Sequence, residues 1–129
     1  MLFHLGRRRG GVARVELHCC IHPSSGTTFW EDCADDLPSM IPDGLELTVV
    51  RWNVHRGGDR FHRRYVLTEC GGIAYEGGLD KGRDGETTDV YLLETDLRTE
   101  RWNQYQEDST AFSRDPDGPL LIVGTRPTR

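Results

Sequence analysis

The strongest constraint on the fold is the run from Leu45 to Trp52, which reads L-E-L-T-V-V-R-W. Turn-forming residues bound this run, with Pro-Asp-Gly at 42–44 before it and Gly-Gly-Asp at 57–59 after it. The residues at positions 45, 47 and 49 are aliphatic, and Arg51 follows at the next odd position. Alternate side chains of a strand lie on the same face, so these residues would share one face. The pattern therefore predicts a β-strand with one strongly apolar face.

Shorter patterns on both sides of this run predict further strands and two helices. Large apolar residues at helical spacing predict a helix from Thr28 to Ile41, and a second helix is predicted from Glu94 to Gln106. The predicted strands are Val12–Ile21, Leu45–Trp52, Phe61–Glu69, Ile73–Tyr75, Thr87–Leu93 and Leu120–Val123, with a tight hairpin turn at Gly71-Gly72. This order predicts an α/β fold in which helices flank a mixed β-sheet.

The first predicted helix carries its own start and stop signals. Thr27 or Thr28 is expected to cap it, because Glu31 follows Thr28 at the spacing of a capping box. Pro38 lacks a backbone N–H, so we expect it to bend this helix or to end it early.

The length of 129 residues predicts one domain, which we assign to residues 12–126. Residues 1–11 are rich in glycine and arginine, including Arg7, Arg8 and Arg9, and are expected to form a flexible basic N-terminus. No apolar run approaches the roughly 18 residues that suggest a membrane-spanning helix. The start of the chain also lacks the pattern of a signal peptide, so the sequence predicts a cytoplasmic protein.

The chain has four cysteines, and most of them lie in apolar patterns without any other sign of secretion. We therefore expect buried free thiols rather than a disulfide framework. A zinc site is the alternative for one group of residues: His18, Cys19, Cys20, His22 and Cys33. Neighbouring strand residues point to opposite faces, and the group contains no C-x2-C pair. We expect no metal and no cofactor.

Positive charge is concentrated in one short stretch of an acidic chain. The net charge is −5, yet the residues from Arg51 to Arg64 include five arginines and two histidines against one acid, Asp59. This cluster predicts an anion-binding site, in which we include Arg51 and Arg60. The alternative is that these arginines pair with the acidic residues between Glu76 and Asp117 of the same domain. Charge alone leaves both interpretations open.

The most informative segment is His62-Arg63-Arg64-Tyr65-Val66-Leu67-Thr68-Glu69. His62 and Arg64 lie two positions apart, so on a strand both can face one ligand. A guanidinium can bind the non-bridging oxygens of a phosphodiester as a fork, while an imidazole can attack phosphorus or transfer a proton. Glu69 follows at the strand end and is expected to help position the site.

These residues resemble the phospholipase D-like superfamily, whose hallmark is H-x-K-x4-D followed after a short gap by G-S-x-N. His62-x-Arg64-x4-Glu69 keeps the first spacing, and Gly77-Gly78-Leu79-Asp80 lies one residue later than the second motif is expected. The segment is also similar to bacterial phospholipase D-like proteins of poorly characterised function. It is similar too to the C-terminal domain of proteins carrying a microtubule-interacting and trafficking module, a membrane-lipid binder.

The resemblance implies a phospholipase D-like half-domain with His62 as nucleophile, Arg64 as phosphate-binding cation and Glu69 as the family's aspartate. It also places Gly77, Gly78 and Asp80 at the ligand. Gly78 lacks the hydroxyl of the family's serine, and Asp80 adds a negative charge where the family has asparagine. Family enzymes need two motifs and this chain has one, so catalysis would require a homodimer.

The sequence therefore predicts a domain that binds a phosphate-bearing ligand, either nucleic acid or a phospholipid headgroup, with little or no turnover. One alternative is a homodimeric, metal-independent phosphodiesterase or nuclease that uses His62. Another is a non-catalytic accessory domain that acts by binding a larger protein partner.

Overall fold

The computed structural model describes residues 2–6, 13–21, 28–55, 64–75 and 83–127. Over these residues the chain forms one mixed β-sheet and two helices, which confirms the α/β class predicted from the sequence. The elements are β1 (Leu2–Gly6), β2 (Ala13–Cys20), α1 (Phe29–Met40), β3 (Leu45–Val54), β4 (Arg64–Leu67), β5 (Gly72–Tyr75), β6 (Val90–Leu92), α2 (Thr95–Gln104), β7 (Phe112–Arg114) and β8 (Leu120–Val123). Neither helix is long and apolar enough to cross a membrane.

The strands are ordered β6-β5-β4-β1-β2-β3-β7 across the sheet, and β8 pairs with β3 beside β7. β1 is parallel to β4, and β2 is parallel to β3. The other pairs are antiparallel, including β1 with β2 and the β4–β5 hairpin. The sheet therefore contains the predicted hairpin as well as parallel pairs that need longer connections.

One face of the sheet carries the main apolar core. Its buried residues are Val50, Trp52, Tyr65, Leu67, Tyr105 and Phe112. Trp102 of α2 packs against this cluster, and Tyr105 directly follows that helix. Because Tyr105 ring-stacks with Phe112 and meets Trp52 edge-on, α2 is fixed to this face by aromatic contacts.

The opposite face is formed by the odd-numbered residues of β2 and β3, of which Val15 and Val49 are buried. α1 lies against β8 on this side, and its Trp30 ring stacks under the Arg51 guanidinium. Both faces of β3 are therefore covered. The sequence predicted one buried face, and the even-numbered residue Trp52 shows that the second face is buried as well.

The N-terminal prediction was wrong for Leu2–Gly6, which forms β1 between β2 and β4 instead of a flexible arm. The strand is short, and the arginines that follow it hide its apolar pattern. β1 forms because it pairs with a neighbouring strand on each side, and not because of its own strand propensity. The sheet thus begins before residue 12, the predicted domain boundary; residues 7–12 lie outside the described residues. β7 was also missed.

The predictions for α1 were partly wrong. Thr28 is the N-cap residue, but its side chain makes no capping hydrogen bond, so the capping box is not formed. Pro38 lies inside the helix, which continues to Met40. The residues after β8 stabilise this end, because the N–H of Thr125 donates to the Pro38 carbonyl and that of Arg126 to Ile41.

Gly124 makes this close approach possible. A Cβ on Gly124 would lie 2.1 Å from the backbone oxygen of Pro42, so any side chain would push the two segments apart.

Candidate functional site

The ends of several strands lie next to one another along one side of the sheet, close to the predicted site. The strands β2, β3 and β5 end at this edge, and β4 and β6 begin there. Arg64, which follows undescribed residues 56–63, and Tyr75, which precedes undescribed residues 76–82, both lie there. We term this place, where the described neighbours of the predicted histidine-arginine and glycine-rich segments meet, the motif edge.

Five predicted site residues lie outside the described residues: Arg60, His62, Gly77, Gly78 and Asp80. Three others are described, and the structure gives each a different environment. Arg64 is the first residue of β4 and lies at the motif edge. Arg51 lies near the same edge on β3, whereas Glu69 lies elsewhere.

Arg64 lies directly opposite Tyr75 in the β4–β5 ladder. Tyr75 is 6% exposed, and its Oη is buried with no hydrogen-bond partner among the described residues. Burial raises the pKa of Tyr75, and the positive charge of Arg64 acts in the opposite direction. The hydroxyl therefore stays protonated at neutral pH. Arg64 and Tyr75 together place a cation and an unsatisfied O–H donor at the motif edge.

Arg51 is held by partners within the protein. Its Nη2 donates to the Gly118 carbonyl at 2.7 Å, and its Nε lies 3.3 Å from Oδ2 of Asp115. The side chains of Arg51 and Asp115 are only 11% and 10% exposed. These contacts join β3 to the turn between β7 and β8. They match the alternative in which an arginine of the cluster pairs with the acidic part of the domain; ligand binding by Arg51 stays a prediction.

Glu69 lies in the connection between β4 and β5, at the end of the hairpin away from Arg64. The length of β4 separates these two ends by about 10 Å. The connection is organised by Thr68, whose Oγ1 accepts hydrogen bonds from the N–H groups of Cys70 and Gly71. The Glu69 side chain is exposed, and the structure does not bring it together with Arg64.

Sequence reasoning missed the role of His18, which is buried on the α2 face of the sheet. Its Nδ1 accepts a hydrogen bond from Nε1 of Trp52 at 3.0 Å. An indole nitrogen only donates, so Nδ1 carries no proton and the proton is on Nε2. Nε2 then donates to Oε2 of Glu16 at 3.1 Å.

A carboxylate beside an imidazole is a common arrangement for a general base. Here the accepting nitrogen is already bonded to Trp52, and the His18 ring is 1% exposed. The ring is therefore a structural link between β2 and β3. No sequence signal could have revealed this link, because it depends on the parallel register of these strands.

All four cysteines are free, as predicted. Their burial is less complete than expected, since three are half-buried and Cys70 is exposed. Burial raises the pKa of the Cys19 thiol, which makes it a weak nucleophile at neutral pH. Within the described ranges, no group of three or more His, Cys, Asp and Glu side chains is arranged to hold a metal ion.

An open depression of about 730 Å³ lies at the C-terminal end of α2. Polar side chains line it, including the carboxylates of Glu100 and Asp108, and no arginine or lysine is among its described lining residues. It therefore suits an anion less well than the motif edge does.

Comparisons with protein-family models, with curated proteins and with solved structures give no match to this chain.

Proposed function

We propose that the motif edge binds the phosphate of a phosphodiester ligand, with little or no turnover. The observation that carries this proposal is the pairing of Arg64 with Tyr75, whose buried hydroxyl has no partner among the described residues. A buried donor without an acceptor costs about 1–3 kcal/mol, and native proteins rarely leave one unexplained.

A phosphate would contact both groups at once. Its non-bridging oxygens accept hydrogen bonds, and they carry the negative charge that a guanidinium binds. The Arg64 guanidinium would supply charge and the Tyr75 hydroxyl would donate to a second oxygen. His62, two positions before Arg64 in the sequence, is the third group predicted to contact the ligand.

The local charge supports an anionic ligand. The stretch from Arg51 to Arg64 holds five arginines, and its two described arginines, Arg51 and Arg64, lie near and at the motif edge. One of these arginines, Arg51, is neutralised by Asp115 within the protein. Clustered positive charge at one edge of an acidic protein raises the local concentration of anions.

Binding is tested with two probes that share a phosphodiester, a labelled single-stranded DNA 12-mer and vesicles of phosphatidylglycerol in phosphatidylcholine. We expect Arg64→Gln to weaken binding by about tenfold or more, because a hydrogen bond to a charged group contributes about 1.5–3 kcal/mol. The assays use a fixed near-physiological salt concentration, since phosphate contacts are salt-dependent. The probe that binds identifies the source of the phosphodiester.

Arg14→Gln is the matched control. Arg14 is an arginine of the same sheet, but it lies at the opposite end of β2 and pairs with Glu46 at 3.0 Å. We expect this variant to bind both probes as the wild type does. Equal loss in both arginine variants would indicate general electrostatics, and unchanged binding in Arg64→Gln would refute the site.

Turnover is measured separately, with bis(p-nitrophenyl) phosphate and single-stranded DNA in excess EDTA. We expect no hydrolysis by the wild type. Metal-independent hydrolysis that disappears in His62→Ala would replace the binding proposal with the homodimeric phosphodiesterase.

A further inference from the structure

The edge strand β6 presents three exposed apolar side chains in a row. Val90 is 56% exposed, Tyr91 51% and Leu92 82%, and β6 pairs only with β5 among the described strands. Open apolar edges attract further strands, so native proteins usually protect them with proline, lysine or a bulge. Residues 83–96 contain neither proline nor lysine.

The other edge strand, β8, shows what protection looks like. It also exposes two apolar side chains, Leu121 and Val123. However, Pro119 directly precedes β8, and Pro127 follows it by four residues. Proline cannot donate a ladder hydrogen bond, so these residues limit strand pairing to a short segment.

The backbone of β6 is oriented to receive another strand. The N–H of Leu93 donates to the Gly72 carbonyl at 2.9 Å, so this residue pair is hydrogen-bonded. Hydrogen-bonded and non-hydrogen-bonded pairs alternate along an antiparallel ladder. Tyr91 is therefore bonded to Ala74 of β5, while the backbone groups of Val90 and Leu92 point away from β5 toward the open edge.

The charge around β6 selects the kind of strand that fits. Five carboxylates and one arginine occupy residues 83–96. An antiparallel pairing of two copies would bring together two segments that each carry this excess of negative charge. Like charges opposite each other destabilise a sheet, so a second copy is a poor occupant. A strand with basic flanks would meet complementary charge on both sides.

From these observations we propose that β6 is a docking edge for an extended segment of a partner protein, with alternating apolar residues and basic flanks. The segment adds a strand to the sheet beside β6. Its backbone bonds to Val90 and Leu92, its apolar side chains cover the exposed ones, and its basic ends face the carboxylates. This binding does not depend on the proposed phosphate site.

The probe is a labelled nine-residue peptide, Lys-Arg-Val-Thr-Val-Thr-Val-Arg-Lys, and its control has Glu and Asp in place of the basic residues. Fluorescence anisotropy measures the affinity of each peptide for the intact chain. We expect the basic peptide to bind at least about tenfold more tightly than the acidic one. Equal affinity for both peptides would overturn the proposal.

Leu92→Pro removes the outward N–H at the end of β6 and leaves the Tyr91–Ala74 pair in place. We expect it to weaken peptide binding by about tenfold, because it removes one backbone bond and interrupts the edge. Leu121→Pro is the matched control, since Leu121 is in a non-hydrogen-bonded pair with Thr48 and its N–H points away from β3. This control is expected to bind like the wild type. Circular dichroism verifies that both variants fold.

A second measurement uses the unaltered protein and therefore does not depend on the folding of a variant. The basic peptide is N-methylated at alternate residues, in two complementary sets. One set must abolish binding and the other must keep it, because only one edge of an added strand faces β6. Equal effects of the two sets would rule out strand addition.

Two further outcomes separate this proposal from others. A wild-type dimer, detected by sedimentation and lost in Leu92→Pro but not in Leu121→Pro, would make a second copy the occupant and overturn the proposal. Arg64→Gln should bind the basic peptide normally, so a failure of the phosphate site leaves this result unaffected.

Discussion

Two buried polar side chains lie on opposite faces of the sheet, close to the same edge. His18 is 1% exposed and has a partner for each ring nitrogen, Trp52 and Glu16. Tyr75 is almost as buried, but its hydroxyl has no partner among the described residues. Both belong to one sheet, yet among the described residues only His18 has hydrogen-bond partners for its polar atoms.

Under the proposed function, this difference separates a group that stabilises the fold from a group that donates to a ligand. Burying a polar group costs free energy unless it is hydrogen-bonded, so a satisfied network needs nothing further. Arg51 belongs to the first kind, because it donates to Gly118 and pairs with Asp115. Arg64 lies opposite Tyr75 in the β4–β5 ladder. Substitutions should therefore reduce stability in the first set and ligand binding in the second.

The largest loss of stability is expected for Arg51→Met. It leaves the Asp115 carboxylate buried without its cation, and breaking one side of such a pair costs about 3–5 kcal/mol. Urea denaturation measures the change in the free energy of unfolding. The double variant Arg51→Met/Asp115→Asn should recover part of that loss, since no unpaired charge remains. A loss below about 1 kcal/mol would show that Arg51 is not a structural residue.

A loss of about 3 kcal/mol is expected for His18→Leu, because the Trp52 N–H remains buried without its acceptor. Glu16→Gln is the matched control. Its amide oxygen can still accept from Nε2, and the Glu16 side chain is 46% exposed, so the change should stay below about 1 kcal/mol. If Glu16→Gln were as damaging as His18→Leu, the carboxylate charge would be essential and the ring would not be a simple link.

Alkaline pH should destabilise the α2 face by a smaller amount. Burial raises the pKa of Tyr105 from 10.0 to about 12, with a further contribution from Tyr65. Above pH 10 the unfolded chain loses this proton while the folded chain keeps it, so stability falls as the pH rises from 10 to 12. The contribution that is lost is on the order of 3 kcal/mol at most.

Tyr105→Phe should remove that part of the pH dependence, which denaturation at pH 8 and pH 11 measures. An unchanged pH dependence in this variant would assign the alkaline sensitivity to other groups.

The sequence predicted the parts of the fold that depend on local pattern. Alternation identified β3, and the glycine pair with its flanking strands identified the β4–β5 hairpin. β1 was missed because its place in the sheet depends on pairing with β2 and β4, which are distant in the sequence. The prediction that Pro38 bends or ends α1 failed for the same reason, because Thr125 and Arg126, which are distant in the sequence, donate hydrogen bonds to the end of this helix.

The same limit applies to the candidate site. Residue type and spacing singled out Arg64, and the structure places it at the motif edge. Tyr75 was read only as part of a strand, because its opposition to Arg64 follows from the hairpin register. Glu69 was grouped with Arg64 by spacing, yet it lies at the other end of the hairpin. Spacing along the chain thus identified candidate residues, and register decided which of them meet.

The smallest effect on stability, and the sharpest test of the comparison, is expected for Tyr75→Phe. Its hydroxyl has no partner to lose among the described residues, so the free energy of unfolding should stay the same or rise by up to about 1 kcal/mol. Binding of the phosphodiester probes should fall, because the donor to the second phosphate oxygen is gone.

Tyr65→Phe is the control for that experiment, since Tyr65 follows Arg64 in β4 but faces the apolar core with Leu67. It should leave probe binding unchanged. For Tyr75→Phe we therefore expect the free energy of unfolding to stay the same or rise while probe binding weakens. A hydroxyl that donates only to a ligand produces this combination, because its removal ends an unsatisfied buried donor in the free protein and removes a hydrogen bond from the complex. A loss of stability above about 1 kcal/mol would mean that the hydroxyl has an internal partner, and the contrast with His18 would then disappear.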